Sequence, residues 1–323
     1  MPAPLITVTL HAAMDVIVRA ARHPADAPDL PAELPAGKGV NVARILSLLG
    51  SDCTALALVG APDIPAFASH LASLGPGRIT PCLIPLPGPT RRNITTIDPA
   101  RRAEHHERTQ GPAVTPQALS ILRAALAEVA APGALVAFSG SLPPGFNPAL
   151  LLDVVDLCRA ARCRVIIDTS GPALLALRRT PLFLLKLNQD ELAELAGAPL
   201  SDDAAFRAAA RGLSVRQGGP ADTIIATRGP AGALLISPEL ELAAHSDLAP
   251  RPILRTVGCG DALLAGFLHE HTRGSDIHAA FHRAVAVACA AALSPHPGMV
   301  TADDIHFAMR NTYVQTPPPR PHG

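Results

Sequence analysis

The stretch Thr256-Val257-Gly258-Cys259-Gly260-Asp261 concentrates chemical capacity in six residues. Two glycines flank a small residue, a carboxylate follows, and the apolar run Ala262-Leu263-Leu264-Ala265-Gly266-Phe267-Leu268 begins at once. Such a turn points bare backbone N–H groups and a helix N-terminus at an anion. It also sets one acid, Asp261, beside that anion, an arrangement suited to phosphoryl transfer. A glycine-rich turn that merely joins a strand to a helix accounts for the same residues, so the rest of the chain must discriminate. Other phosphate motifs are absent. A dinucleotide fingerprint needs a third glycine where Leu263 stands, and Gly37-Lys38 runs into Gly39 rather than the Ser or Thr of a P-loop. No His-Arg-Asp loop of a protein kinase occurs.

Four further polar clusters carry potential chemistry. Gly37-Lys38-Gly39-Val40-Asn41 opens a helix and can hold a polyol or phosphate. Ser139-Gly140-Ser141-Leu142-Pro143-Pro144-Gly145 follows a strand, where α/β folds place ligands. Lys186-Leu187-Asn188-Gln189-Asp190-Glu191 also ends a strand, and Asn188 with Glu191 at i, i+3 can organise Mg²⁺-bound water or simply start a solvated helix. Thr227-Arg228-Gly229-Pro230-Ala231-Gly232 joins two apolar runs and reads as a nucleotide-lining turn or a plain hairpin. The cluster Glu104-His105-His106-Glu107 reads as a solvated strand rather than a metal site, and His269 and His271 as helix-surface residues.

The elements that must position these clusters alternate. Strands are expected at 5–10, 54–59, 135–138, 164–168, 182–186, 223–226 and 233–236, several apolar on both faces as a buried parallel sheet demands. Helices are expected between them: Asn41 to Leu49 before Gly50, two starting at Thr115-Pro116 and Asn147-Pro148, and a long Ala-rich one from Ser275 to about Leu293. The pattern predicts an α/β fold of three layers, a mostly parallel sheet between helices. Residues 11–36 and about 83–112 break the rhythm and are expected to form a small β lid. The expectation is one domain over 1–315, with the proline-rich 316–323 a disordered tail.

Composition narrows the function classes. The chain has 323 residues, 48% hydrophobic and 17% charged, enough to bury a sizeable core. Its 27 basic and 27 acidic residues leave no electrostatic footprint for nucleic acid or an anionic membrane. Six scattered cysteines without Cys-x-x-Cys spacing fit a reduced, cytoplasmic protein. No signal-peptide pattern or membrane-length apolar run is evident.

On these motifs the chain resembles the ribokinase-like (PfkB-type) carbohydrate kinases over about residues 5–310. Thr7-Val8-Thr9-Leu10 leading to Asp15, Thr90-Arg91-x-Asn93, Ser139–Gly145 and Asp168-Thr169-Ser170-Gly171 point to the 1-phosphofructokinase and tagatose-6-phosphate kinase branch. The resemblance implies ATP and Mg²⁺ as cofactors and a sugar phosphate as acceptor. It makes Asp261 the general base and Gly258, Cys259 and Gly260 the anion hole. Asp15, Gly37, Gly39, Asn41, Asn93 and Ser139 would face the sugar, with Lys38 and Arg91 toward its phosphate. Lys186, Asn188, Thr227, Gly229, Gly232 and Thr256 would face the nucleotide, and Glu191 the Mg²⁺ through water or phosphate. It also implies a homodimer joined through the lid strands.

The chain departs from the branch at His11-Ala12-Ala13, where Asn-Pro-Ala is usual, at Leu187 in place of proline, and at Cys259 in place of alanine. The first lies near the sugar. The last puts a thiol at a helix N-terminus, where a lowered pKa and reactivity are expected. Fructose 1-phosphate is the expected acceptor. Fructose 6-phosphate and tagatose 6-phosphate are the rivals, and a non-catalytic sugar- or nucleotide-binding regulator is the alternative of a different class.

Overall fold

The computed structural model describes residues 3–19, 33–75, 78–98, 103–294 and 298–316. In chain order the strands are β1 (Leu5–Thr9), β2 (Ala13–Arg19), β3 (Glu33–Ala36), β4 (Cys53–Gly60), β5 (Ile79–Leu86), β6 (Arg91–Asp98) and β7 (Ala103–Arg108). They continue as β8 (Leu135–Ser139), β9 (Arg164–Asp168), β10 (Leu182–Asn188), β11 (Ala221–Thr227), β12 (Ala233–Ile236), β13 (Glu241–Ser246) and β14 (Thr312–Gln315). The helices are α1 (Lys38–Leu49), α2 (Ile64–Ser73), α3 (Pro116–Val129), α4 (Pro148–Ala160) and α5 (Gly171–Ala176). After them come α6 (Gln189–Ala196), α7 (Asp203–Gly212), α8 (Cys259–Thr272), α9 (Ile277–Leu293) and α10 (Ala302–Arg310).

The main sheet runs β14-β13-β12-β11-β10-β9-β8-β1-β4-β5. From β5 to β11 every pairing is parallel, and β12, β13 and β14 add antiparallel strands at one edge. Parallel strands need crossovers, and the crossing helices cover both faces. Helices α1, α2, α8, α9 and α10 pack one apolar cluster, whereas α3 through α7 pack the other. Thr115 and Asn147 cap α3 and α4 as expected, each side chain accepting an N–H three residues on. The long Ala-rich helix starts one residue later than expected, because Asp276 supplies its cap.

Strand parity decides which residues reach the site. Val8, Phe138, Ile167 and Leu185 lie in register and turn toward the α3–α7 cluster. Their successors Thr9, Ser139, Asp168 and Lys186 therefore turn to the α1 and α8 side, at the C-terminal ends of their strands.

A second sheet, ordered β3-β2-β6-β7, comes from the two segments expected to form a lid. Its central pair β2 and β6 is parallel, with Ala13 opposite Arg91 and Asp15 opposite Asn93. Residues 83–86 belong instead to β5 of the main sheet, so the second lid segment begins later than the sequence suggested. Residues 20–32 and 99–102 of these segments, and 317–323 of the proline-rich tail, lie outside the described residues.

Candidate active site

Gly258 takes φ +87°, a left-handed conformation that glycine adopts at little cost, and α8 starts at the next residue. The Cys259 N–H turns back to Thr256 O at 3.4 Å, and the Ala262 N–H bonds Gly258 O at 3.0 Å. The first-turn N–H groups best placed to face an anion are therefore those of Gly260 and Asp261.

Asp261 is buried, and Asn41 Nδ2 donates to its Oδ2 at 2.9 Å. Burial and the nearby Asp168 raise its pKa from 3.8 to about 6, against the opposing pull of Asn41, Lys38 and Lys186. A carboxylate at this value is ionised at neutral pH yet basic enough to accept a proton.

Two cations stand beside it. Lys38 Nζ and Lys186 Nζ both donate to Asp168 Oδ1, at 3.0 and 3.1 Å. Burial works against the charge on Lys38, but Asp168, Asp261 and Glu191 outweigh it and hold its pKa above the ordinary lysine range. Burial likewise opposes the charge on Asp168, and the two lysines overcome it and lower its pKa. Lys186 also lies over the Gly258–Asp261 turn: a Cβ on Gly260 would sit 2.6 Å from its Nζ. Glycine at 260 is what lets an ammonium approach the helix start.

At the other end, Asp15 accepts from Asn93 Nδ2 at 2.7 Å across the β2–β6 pair. Burial raises the Asp15 pKa, with Asn93, Arg44 and Arg91 acting against it. Arg91 donates through Nε to Ala12 O (3.3 Å) and through Nη2 to His11 O (3.2 Å). Opposite, Asn188 and Glu191 form a reciprocal capping box at the start of α6, each side chain accepting the other's backbone N–H at 2.8 Å. Glu191 Oε1 lies 3.9 Å from Lys38 Nζ. Thr227 pairs with Asn188 in register at the neighbouring strand end.

The profile of pfkB family carbohydrate kinases matches residues 5–300. The chain belongs to that family. A 1-phosphofructokinase of Rhodobacter capsulatus is 33% identical over 323 residues, covering 98% of each chain. An ATP-dependent 6-phosphofructokinase isozyme 2 of Mycobacterium tuberculosis is 32% identical over 277 residues, 84% of this chain and 78% of its own. Among solved structures, phosphofructokinase-2 from Escherichia coli in complex with potassium superposes with a TM-score of 0.84 at 25% identity, covering 96% of this chain and 99% of that one. This pfkB kinase is thus a phosphotransferase to a hydroxyl group, on a mostly parallel sheet with helices on both sides.

Other residues marked in the sequence have defined structural settings, and the Cys259 thiol and the two histidines of α8 differ from expectation. Cys259 is packed against the core, and burial with Cys289 and Asp261 raises its thiol pKa to about 11, the reverse of an activated cysteine. Gly39 faces β1, where a Cβ would meet Thr9 Oγ1 at 2.4 Å, and Gly232 faces β13, where it would meet Ala244 O at 2.1 Å. Both glycines are fixed by close packing, and Gly37 (φ +130°) and Gly229 (φ +54°) by their backbone conformations. Ser139 is buried, in register with Asp168. His269 is buried and bonds Ser51 Oγ at 2.8 Å rather than lying on the surface, and His271 stacks on Phe267.

Three residues escaped the sequence reading. Asp168 anchors both lysines, although only its motif had been noted. Arg44 is buried, donates to Pro35 O at 2.7 Å, and is coupled electrostatically to Asp15 and Asp261. Its signal was a lone arginine three residues after Asn41, flanked by Val42, Ala43, Ile45 and Leu46. Arg92 grips Asp63 through Nη1 and Nη2 (3.0 and 3.1 Å) and reaches Glu33 at 3.2 Å, tying the small sheet to the main body. No sequence pattern marked that clamp.

Proposed function

We propose that this kinase transfers the γ-phosphoryl group of ATP to a ketohexose phosphate, converting D-fructose 1-phosphate to fructose 1,6-bisphosphate. The observation that carries the reading is Asp261, a buried carboxylate with pKa about 6, set at a helix start beside Lys38 and Lys186. As the sugar oxygen attacks phosphorus, its proton passes to Asp261 while the bond to the ADP oxygen breaks. The two lysines and the Gly260 and Asp261 N–H groups stabilise the charge that builds on the phosphoryl oxygens. Asp15 and Asn93 orient the sugar and Arg91 answers its phosphate, whereas Lys38, expected at that phosphate, pairs with Asp168 beside Asp261 and serves the transferring group instead. Asn188, Thr227, Gly229, Gly232 and Thr256 border the nucleotide.

Among the described residues no group of three or more His, Cys, Asp or Glu forms a metal cage. That suits Mg²⁺, which keeps several waters and is held largely by phosphates. Glu191 Oε1, which the capping box leaves available, is positioned to accept from a metal-bound water. Glu191 would hold Mg²⁺ through water or phosphate, and the bound ion would supply charge screening at the phosphates.

We further infer one kinase unit over 1–315, working in the cytoplasm as a homodimer through the small sheet. Among the described residues no helix is long and apolar enough to cross a membrane. The test of the activity is ADP release with ATP and Mg²⁺ over fructose 1-phosphate, fructose 6-phosphate, tagatose 6-phosphate and fructose. Fructose 1-phosphate should give the highest kcat/KM. A higher value for fructose 6-phosphate would move the assignment to the chemistry named for the Mycobacterium relative. Intact ATP binding without turnover on any acceptor would favour a regulator.

A further inference from the structure

His11 belongs to none of the roles above, and it occupies the junction of three segments that border the sugar end. It sits in the turn between β1 and β2, half-buried. Its Nδ1 lies 3.1 Å from Ser141 Oγ, in the loop after β8. Its Nε2 lies 3.4 Å from Gln110 O, in the linker after β7. A carbonyl only accepts, so Nε2 carries the proton and Nδ1 accepts from the Ser141 hydroxyl. One neutral tautomer satisfies both contacts. Burial and the nearby Arg91 lower the pKa of the ring to about 4, which keeps it in that neutral form.

The same turn holds Arg91. The carbonyls of His11 and Ala12 accept two of its five N–H groups, and among the described residues the other three remain for a ligand. The linker presses on Arg91 from the other side: a Cβ on Gly111, which has φ +74°, would sit 2.9 Å from Arg91 Cβ. The guanidinium is thus aimed by the backbone of 11–12, and that backbone is held by the imidazole.

We propose that His11 is a positioning residue that fixes the aim of Arg91 toward the phosphate of the sugar substrate, by pinning the β1–β2 turn to Ser141 and Gln110. The proposal rests on Arg91 taking that phosphate. Released from its pins, the turn carries its two carbonyls away, and Arg91 loses the acceptors that orient it. Small misplacements of a clamp are costly because the geometry must be paid for again in each binding event.

The experiment is a double-mutant cycle on the full chain, reading KM for the sugar phosphate, KM for ATP, kcat and melting temperature. His11→Ala should raise the sugar-phosphate KM about five- to twentyfold, the loss expected for one or two neutral hydrogen bonds. KM for ATP and kcat should stay within about twofold. Ser141→Ala should act in the same direction, and His11→Gln, whose amide both donates and accepts, should recover part of the loss. In an Arg91→Ala background, His11→Ala should add nothing. If it adds its full cost there while Arg91→Ala alone weakens sugar phosphate, the phosphate role of Arg91 stands and the role of His11 is overturned. If Arg91→Ala leaves the sugar-phosphate KM unchanged, both fall. An equal rise in KM for ATP would mark His11 as a general structural residue and overturn the proposal.

Discussion

In an Asp261→Asn variant the buried carboxylate becomes a neutral amide of nearly the same shape, and Asn41 keeps an acceptor for its 2.9 Å bond. On the proposed role of Asp261 as the base, kcat should fall by about 10²–10⁴-fold. Stability should move the other way. The folded pKa is raised from 3.8 to about 6, so the fold disfavours the ionised form even with two lysines nearby. Well below pH 3.8 the carboxyl is protonated in folded and unfolded chains alike and contributes no pH dependence. Between about 4 and 6 the unfolded chain ionises first, and stability falls as pH rises. Above 6 the full penalty applies, about 3 kcal/mol at 1.36 kcal/mol per unit of pKa. Unfolding entropy of about 2.1 cal/mol/K per residue makes this a rise of roughly 4 °C in the Tm of the variant at pH 7.5. Calorimetry at pH 4 and 7.5 should show the gain only at the higher pH. The wild-type kcat/KM should fall tenfold per unit below about pH 6, as an ionised base requires. A variant that melts lower at pH 7.5, or that retains a tenth of wild-type kcat, would refute the reasoning.

Other residues give independent readings. Lys186→Met leaves buried Asp168 with Lys38 as its remaining lysine partner, and denaturant unfolding at pH 7 should show a loss of about 3 kcal/mol; under 1 kcal/mol would mean that Lys38 suffices. Arg92→Ala releases Asp63 and Glu33, and should raise KM for the sugar while leaving KM for ATP in place. Because Arg92 and Thr90 lower the Asp63 pKa against the effect of its burial, the clamp is present above the ordinary aspartate range and lost as pH falls through the lower folded value, visible in acid unfolding. Cys259→Ala should keep kcat/KM within about threefold, since the proposed anion turn acts through backbone N–H groups. With a thiol pKa near 11, wild-type Cys259 should react with iodoacetamide more slowly than free cysteine at pH 7.5, and faster labelling would contradict its burial.

The parallel core was legible because its strands are apolar on both faces and its helices carry local caps, both properties of neighbouring residues. The last two strands of the antiparallel end, β13 and β14, were not, since Glu241–Ser246 and Thr312–Gln315 mix polar and apolar residues without a clear period. β5 was hidden by Pro81 and Pro85, which an edge strand of the main sheet tolerates. Asp261, Lys38, Asn41 and Lys186 announced themselves by type and by position at element ends. Asp168 did not: its importance comes from strand register, which sets it opposite Ser139 and beside Lys186. The Cys259 expectation failed for a similar reason. A helix start argues for a reactive thiol, but only packing reveals how deeply the sulfur is buried.

The parallel pairing of β2 with β6 also orders events in time. Between these strands the chain must lay down β3, α1, β4, α2 and β5. Ribosomes add about 5–20 residues per second, so the roughly 80 residues from the end of β2 to the end of β6 take about 4–16 seconds to emerge. Through that interval β2 has β3 on one side and an open edge on the other, the kind of template that invites wrong partners. A nascent chain stalled before Arg91 would be more vulnerable to misassembly and chaperone capture than one stalled after Asp98.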